Sequence, residues 1–222
     1  MPFRLYDSGE GERKQTPAAS SVVTGTVSNN CDLVLQGKVL VRIPAVDDEV
    51  WARLSATGGG AGTGIFWVPK KGDDVLVALN QNDYTDAFIL GGLWSTHDGP
   101  PVDTAKDAPT KRVIKTGQTK TDGHQIELDD ALQSINIVST TKQKITIEPG
   151  KIEVSNSAGT LKITLDNEAQ TITVQGVNVE IKGTKSLSLS APQVDMTSSG
   201  PIKVSSKTIC TVEGKVRAEI NP

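Results

Sequence analysis

Aromatic residues stop at Trp94. The 222-residue chain holds three Trp, three Phe and two Tyr. They are Phe3, Tyr6, Trp51, Phe66, Trp67, Tyr84, Phe88 and Trp94, and none follows. A second half without bulky rings has only medium aliphatics to fill an interior, which argues against a thick globular core there. No run of about 18 apolar residues exists, so no helical membrane span is expected. The start, MPFRLYDSGEGERKQ, has no apolar stretch of the secretory type, so synthesis in the cytoplasm without a signal peptide is expected. The two cysteines, Cys31 and Cys210, lie far apart and read as reduced structural thiols rather than a bridge or a metal pair.

Chemistry-bearing clusters are equally scarce. The only histidines, His97 and His124, stand alone between the two halves and read as solvated loop residues. Asp129 and Asp130 are adjacent, so on a strand they face opposite ways and make no paired-carboxylate site. GGGAGTG at 58–64 lacks the Lys-Ser/Thr that completes a phosphate loop. No G-x-S-x-G accompanies the serine-rich pieces. Hence no catalytic residue, no metal and no cofactor is expected. Residues 1–110 carry 9 Lys+Arg against 14 Asp+Glu, and 111–222 carry 14 against 12. Neither half is basic enough to suggest nucleic acid or an anionic lipid surface as a partner. A stacking platform on Trp51, Phe66 and Trp67 is the one nucleic-acid reading available. Phe66 and Trp67 are neighbours, so on a strand at least one would be core.

The first half reads as short strands. SVVTGTVSN, GKVLVRIPA, EVWARLSA, GIFWVP, DDVLVALNQ and DAFILGGLW are rich in β-branched and aromatic residues and are punctuated by Gly, Asn, Asp and Pro. KVLVRI alternates cleanly, with Val39, Val41 and Ile43 on one face. VLVAL alternates less cleanly and suits a strand covered on both sides. Five or six such strands in about 75 residues predict a small closed barrel of the OB type. Residues 95–124, rich in Pro, Gly, Thr, Asp and Lys, read as a connector.

The second half is a β-repeat. Of residues 134–220, 42 are Val, Ile, Ser or Thr, which divides them into SINIVS, KITIEP, KIEVSN, LKITLD, TITVQG, VNVEIKG, SLSLSA, QVDMTS, PIKVSS and ICTVEG. Each piece sets apolar residues at period two and then turns. The set expected to face inward is Ile135, Ile137, Ile145, Ile147, Ile152, Val154, Leu161, Ile163, Leu165, Ile172, Val174, Val177, Val179, Ile181, Leu187, Leu189, Val194, Met196, Ile202 and Val204. A trimeric prism, a monomeric solenoid and a sandwich all accommodate such a pattern. The absence of rings and the row of strand edges that a lone copy would expose favour the prism.

Residues 37–95 carry a resemblance. GKVLVRIPAVDDEVWARL followed by GAGTGIFWVPKKGDDVLVALNQNDYTDAFILGGLW resembles the OB domain of phage baseplate assembly protein V and of VgrG-like central spikes of contractile injection systems. The matching positions are Gly37, Val39, Val41, Ile43, Pro44, Trp51, Gly64, Phe66, Pro69, Gly72, Asp73, Gly91, Gly92 and Trp94, and VVTGTVSNN resembles the family's opening strand. The resemblance implies an all-β homotrimer, with an OB-fold barrel followed by an intertwined triple-stranded β-helix, or β-prism, that serves as a puncturing needle. It implies assembly into a phage tail or injection particle. The expected divisions are a polar arm over 1–20, the barrel over 21–98, a connector over 99–124 and the needle over 125–222.

The departures from the family also carry expectations. About 20 residues precede the barrel, so the baseplate hub is expected as a separate protein. About 30 residues separate barrel from needle, too few for a folded glycosidase. TVEGKVRAEINP holds no histidine, so a separate PAAR-type tip protein is expected in place of a bound metal. The target membrane would be met only mechanically. The competing functions are a trimeric receptor-binding fibre or adhesin, which would carry a distinct terminal head, and an enzyme on a β-helix, which would show clustered carboxylates, Arg or His on one face.

Overall fold

A computed structural model describes residues 22–34, 36–45, 47–80, 83–119 and 121–213. The arm expected over 1–20 and the last expected needle residues, 214–222, lie outside the described residues. The chain divides into two compact units between Val177 and Asn178. Within the first unit there is a barrel and, further along the chain, an open sheet.

The barrel has five strands: β1 (Val22–Asn29), β2 (Lys38–Ile43), β3 (Asp48–Leu54), β4 (Asp74–Asn80) and β5 (Asp83–Leu93). It closes in the order β1-β2-β3-β5-β4. All pairs are antiparallel except β3 with β5, which join in parallel at Arg53–Phe88 and Leu54–Ile89. Closure leaves no open strand edge. Alternation sends Val39, Val41 and Ile43 of β2 inward to full burial, against Val27, Val50, Ala52, Val75, Val77, Leu79, Ala87 and Ile89. The interior is narrow, which is why its occupants are mostly valines and alanines.

Two details differ from the sequence reading. β4 is covered on one face only: Val75, Val77 and Leu79 are buried while Leu76 and Ala78 are half-exposed. GIFWVP forms no strand. It is a loop in which Ile65 donates to the Thr57 carbonyl and Phe66 and Trp67 are both exposed, at 66% and 53%. Neither ring is core, because no ladder imposes alternation on this segment.

The open sheet has seven antiparallel strands in sequence order: β6 (Lys111–Lys115), β7 (Gln125–Asp129), β8 (Ser134–Val138), β9 (Lys144–Glu148), β10 (Lys151–Ser155), β11 (Lys162–Asp166) and β12 (Thr171–Gln175). β6 lies inside the stretch expected as a connector. Its KRVIK alternates, and it pairs fully with β7 from Lys111–Asp129 to Lys115–Gln125. Short loops fix the meander. Pro149 and Gly150 alone join β9 to β10. Asp129 Oδ1 accepts the Ala131 and Leu132 amides at 3.0 Å to start the β7–β8 turn. Gln133, Lys142 and Gln170 adopt positive φ of 51°, 65° and 51° in three of these loops.

The second unit differs from the open sheet. Among the described residues 178–213 there is no strand, although VNVEIKG, SLSLSA, QVDMTS, PIKVSS and ICTVEG were expected as strands. Val177 also falls beyond β12. Every residue from 177 to 213 is exposed.

Two stability changes follow. A Cβ at the buried Gly25 of β1 would press on Val41 Cγ1 and stand 3.0 Å from the Arg42 carbonyl oxygen. Gly25→Ala is therefore expected to lower barrel stability by about 1–3 kcal/mol in urea denaturation. Lys142→Gly relieves a left-handed backbone and is expected to raise stability by about 1 kcal/mol in the same assay.

Candidate functional site

The open sheet presents one apolar face. Antiparallel register places Ile114, Ile126, Ile137, Ile145, Val154, Ile163 and Val174 in one cross-strand column. Beside it run Arg112, Leu128, Ile135, Ile147, Ile152, Leu165 and Ile172. Thirteen of these fourteen positions are aliphatic. Each strand contributes one residue to each column, because side chains two apart point the same way. The sole polar member, Arg112, turns its guanidinium to the Pro109 and Lys111 carbonyls at 3.1 and 2.9 Å. Seven strands at about 4.8 Å make this ladder about 30 Å tall.

Within the described residues nothing covers that ladder. Its aliphatics are 36% to 75% exposed. The structure thus brings onto one face the expected Ile135, Ile137, Ile145, Ile147, Ile152, Val154, Ile163, Leu165, Ile172 and Val174. Leu161 has the same parity but sits in the β10–β11 loop, 47% exposed. Val177, Val179, Ile181, Leu187, Leu189, Val194, Met196, Ile202 and Val204 belong to the region without strands. Sequence reasoning missed Ile114, Ile126 and Leu128. The alternation of KRVIK and QIELD was the available signal, hidden by the polar, glycine-containing loop between them.

The opposite face is polar and better covered. Lys111 Nζ lies 3.5 Å from Glu127 Oε1 and 3.7 Å from Asp129 Oδ2. Glu153 Oε2 lies 3.5 Å from Lys151 Nζ and 3.7 Å from Lys162 Nζ. Long side chains lie along their neighbours here, so Lys111 is only 19% exposed while isoleucines opposite stand open. Partial burial draws the Lys111 ammonium down. The carboxylates of Glu127, Asp107 and Asp129 more than reverse this and hold it above its ordinary 10.5.

On the barrel, Trp51, Leu90 and Trp94 are exposed at 41%, 52% and 73%. Arg53 stacks 4.3 Å from the Phe88 ring centre and pairs with Asp86 at 2.6 Å. Asn80 first, and then Arg53, hold the Asp86 carboxyl below its ordinary value. Gly37 and Gly72, at φ of 70° and 93°, form the turns that open β2 and precede β4. Gly64 reaches φ of 117° in the loop before Phe66, and Pro44 follows β2 directly. Asp73 Oδ2 accepts the Lys70 amide at 2.7 Å, beside Pro69. Gly91 and Gly92 lie in β5 opposite Leu76 and Val75.

Reactive groups stay apart. Among the described residues no three His, Cys, Asp or Glu could hold a metal ion. Cys31 and Cys210 are free and exposed. His124 shares only backbone and hydroxyl bonds with Thr116. Asp129 is 4% exposed and engaged in its turn and ion pair, while Asp130 faces solvent.

Residues 23–94 match a sequence family described as the type VI secretion system/phage-baseplate injector OB domain. The match spans the five-stranded barrel and ends at Trp94, so the aliphatic ladder lies outside it. No curated protein gives a significant match to the chain.

The pairing of Lys111 sets a pH dependence. A raised folded-state pKa stabilises fully below the unfolded value of 10.5 and ceases to do so as pH rises through the folded value. Thermal stability is expected to fall with this component above about pH 10. Lys111→Gln should flatten that alkaline slope in melts followed by circular dichroism.

Proposed function

We propose that this chain, whose residues 23–94 match the injector OB-domain family of type VI secretion systems and phage baseplates, is a subunit of the injector's central spike. That match supports a structural, baseplate-associated role in a phage or secretion-system particle. The finer reading is that three copies join their aliphatic ladders around a common axis and form a stiff needle. Sheath contraction drives the needle through the target envelope.

The observation that carries this reading is the ladder itself. A monomer seldom leaves an apolar stripe of this length open. Covering the exposed half of each of thirteen aliphatics contributes about 1 kcal/mol apiece, on the order of 10 kcal/mol per chain. Three such faces turned inward enclose a narrow interior that medium aliphatics fill without rings. Their polar faces then meet solvent, which suits the ion pairs of Lys111, Lys151 and Lys162.

The barrel is the part we assign to a separate hub protein. The exposed Ile65, Phe66 and Trp67 on one loop support that assignment, because a small closed barrel has no need of them for its core. A separate tip protein of the PAAR type at the far end completes the proposed set. Nucleic acid is not proposed as a partner, because residues 1–110 carry 9 Lys+Arg against 14 Asp+Glu.

Light scattering coupled to size exclusion tests the reading on the full chain. A mass near three times 23.5 kDa is expected, with a band that resists SDS until boiled. The double variant Ile145→Asp, Ile147→Asp places charges in both columns and should run as a monomer. A monomeric wild type would overturn the needle.

A further inference from the structure

Two strands of the open sheet end in charges of opposite sign. β9 reads KITIE from Lys144 to Glu148, and β11 reads KITLD from Lys162 to Asp166. In each, lysine and carboxylate are four residues apart, so both lie on the polar face, about 13 Å from one another. β9 and β11 run in the same direction on either side of β10. Their lysines therefore share one lateral edge of the sheet and their carboxylates the other. Ser155 separates the lysines across the ladder, and no strand end on that edge is acidic. On the other edge Lys151 stands between Glu148 and Asp166, yet it turns to Glu153 at 3.5 Å. Lys144 and Glu148 are exposed and form no ion pair among the described residues. Lys162 reaches Glu153 at 3.7 Å, and Asp166 holds the Ala169 amide through Oδ1.

We infer that these edges are complementary docking surfaces, and that Lys144 and Lys162 of one copy seat on Glu148 and Asp166 of the next. The inference rests on the self-association proposed above and adds what sets its direction and register. The two lysines and the two carboxylates belong to the same pair of strands, so their spacing along the edge is identical. A second copy at the same height matches both pairs at once. Slipping it by one strand in either direction sets one of the lysines against Lys151 and leaves both carboxylates facing uncharged strand ends. Slipping it by two strands uncovers two strands of the aliphatic ladder. A two-fold contact across either edge opposes like charges, whereas a cyclic contact always joins unlike edges. Only the first strand opposes lysines in the favoured register, Lys115 against Lys111, and there Glu127 and Asp129 already neutralise Lys111. Exposed pairs of this kind add little affinity. They steer encounter and penalise wrong registers, while the aliphatics supply the burial.

Charge exchange on the full chain tests this. Lys144→Glu with Lys162→Glu makes both edges acidic, and Glu148→Lys with Asp166→Lys makes both basic. Each double variant should assemble from denaturant about 10-fold more slowly than wild type at low salt, followed by light scattering, and high salt should narrow the gap. The quadruple variant, with the edges exchanged, should return to within about 3-fold of wild type. Cross-linking reads the geometry directly. In a Cys31→Ser, Cys210→Ser background, Lys144→Cys with Glu148→Cys should give covalent oligomers with a bismaleimide shorter than the ~13 Å between these positions in one strand. Either cysteine variant alone should give none. A quadruple variant as slow as the doubles, doubles as fast as wild type at low salt, or cross-linking by the single cysteines overturns the inference and leaves the proposed spike standing. A monomeric wild type overturns both.

Discussion

A β-sheet has two faces and buries the apolar one only against something. In the second half of this chain that constraint governs the rest. Thirteen aliphatics stand in two adjoining columns, and the chain supplies no helix and no second sheet among its described residues to cover them. The strands are short, the loops tight and the residues medium-sized, so the sheet can tile a wall but cannot enclose an interior. A wall of this kind leaves an apolar face that a monomer seldom keeps open.

The barrel solves the same problem alone. Five strands close on themselves, so the hydrogen-bonding edges vanish and the inward faces share one small core of valines, alanines and isoleucines. Gly25 marks how tight that closure is, since β1 and β2 approach until a methyl group has no room. The parallel contact between β3 and β5 is the shortest in the barrel. Arg53 reinforces it from outside by stacking on Phe88 and pairing with Asp86.

Charge is placed to agree with this division. The ion pairs of the open sheet lie on the face away from the aliphatic ladder, where lysine stems cover their neighbours and the ammonium heads meet Glu127, Asp129 and Glu153. The only cation on the ladder face, Arg112, sits on the first strand and bends back to backbone carbonyls. The apolar stripe is therefore free of interior charge over its remaining six strands, which is what close approach of another apolar wall requires.

Much of this was legible in the chain itself. Period-two alternation in KVLVRI, SINIV, KITIE, KIEVS and KITLD determined which residues share a face, because a strand sends alternate side chains to opposite sides whatever surrounds it. The loss of aromatics after Trp94 separated the two halves. What alternation could not decide was pairing. Residues 111–115 looked like linker because their partner strand lies ten or more residues away, across a polar loop. Ile65, Phe66 and Trp67 looked like a strand but have no ladder to hold them. Beyond Gln175 the alternation continues, yet the described residues 178–213 form no strand. Local sequence sets where each side chain can point. Only the tertiary arrangement decides which backbone edges meet, because hydrogen-bond partners are chosen across distances that no local pattern encodes.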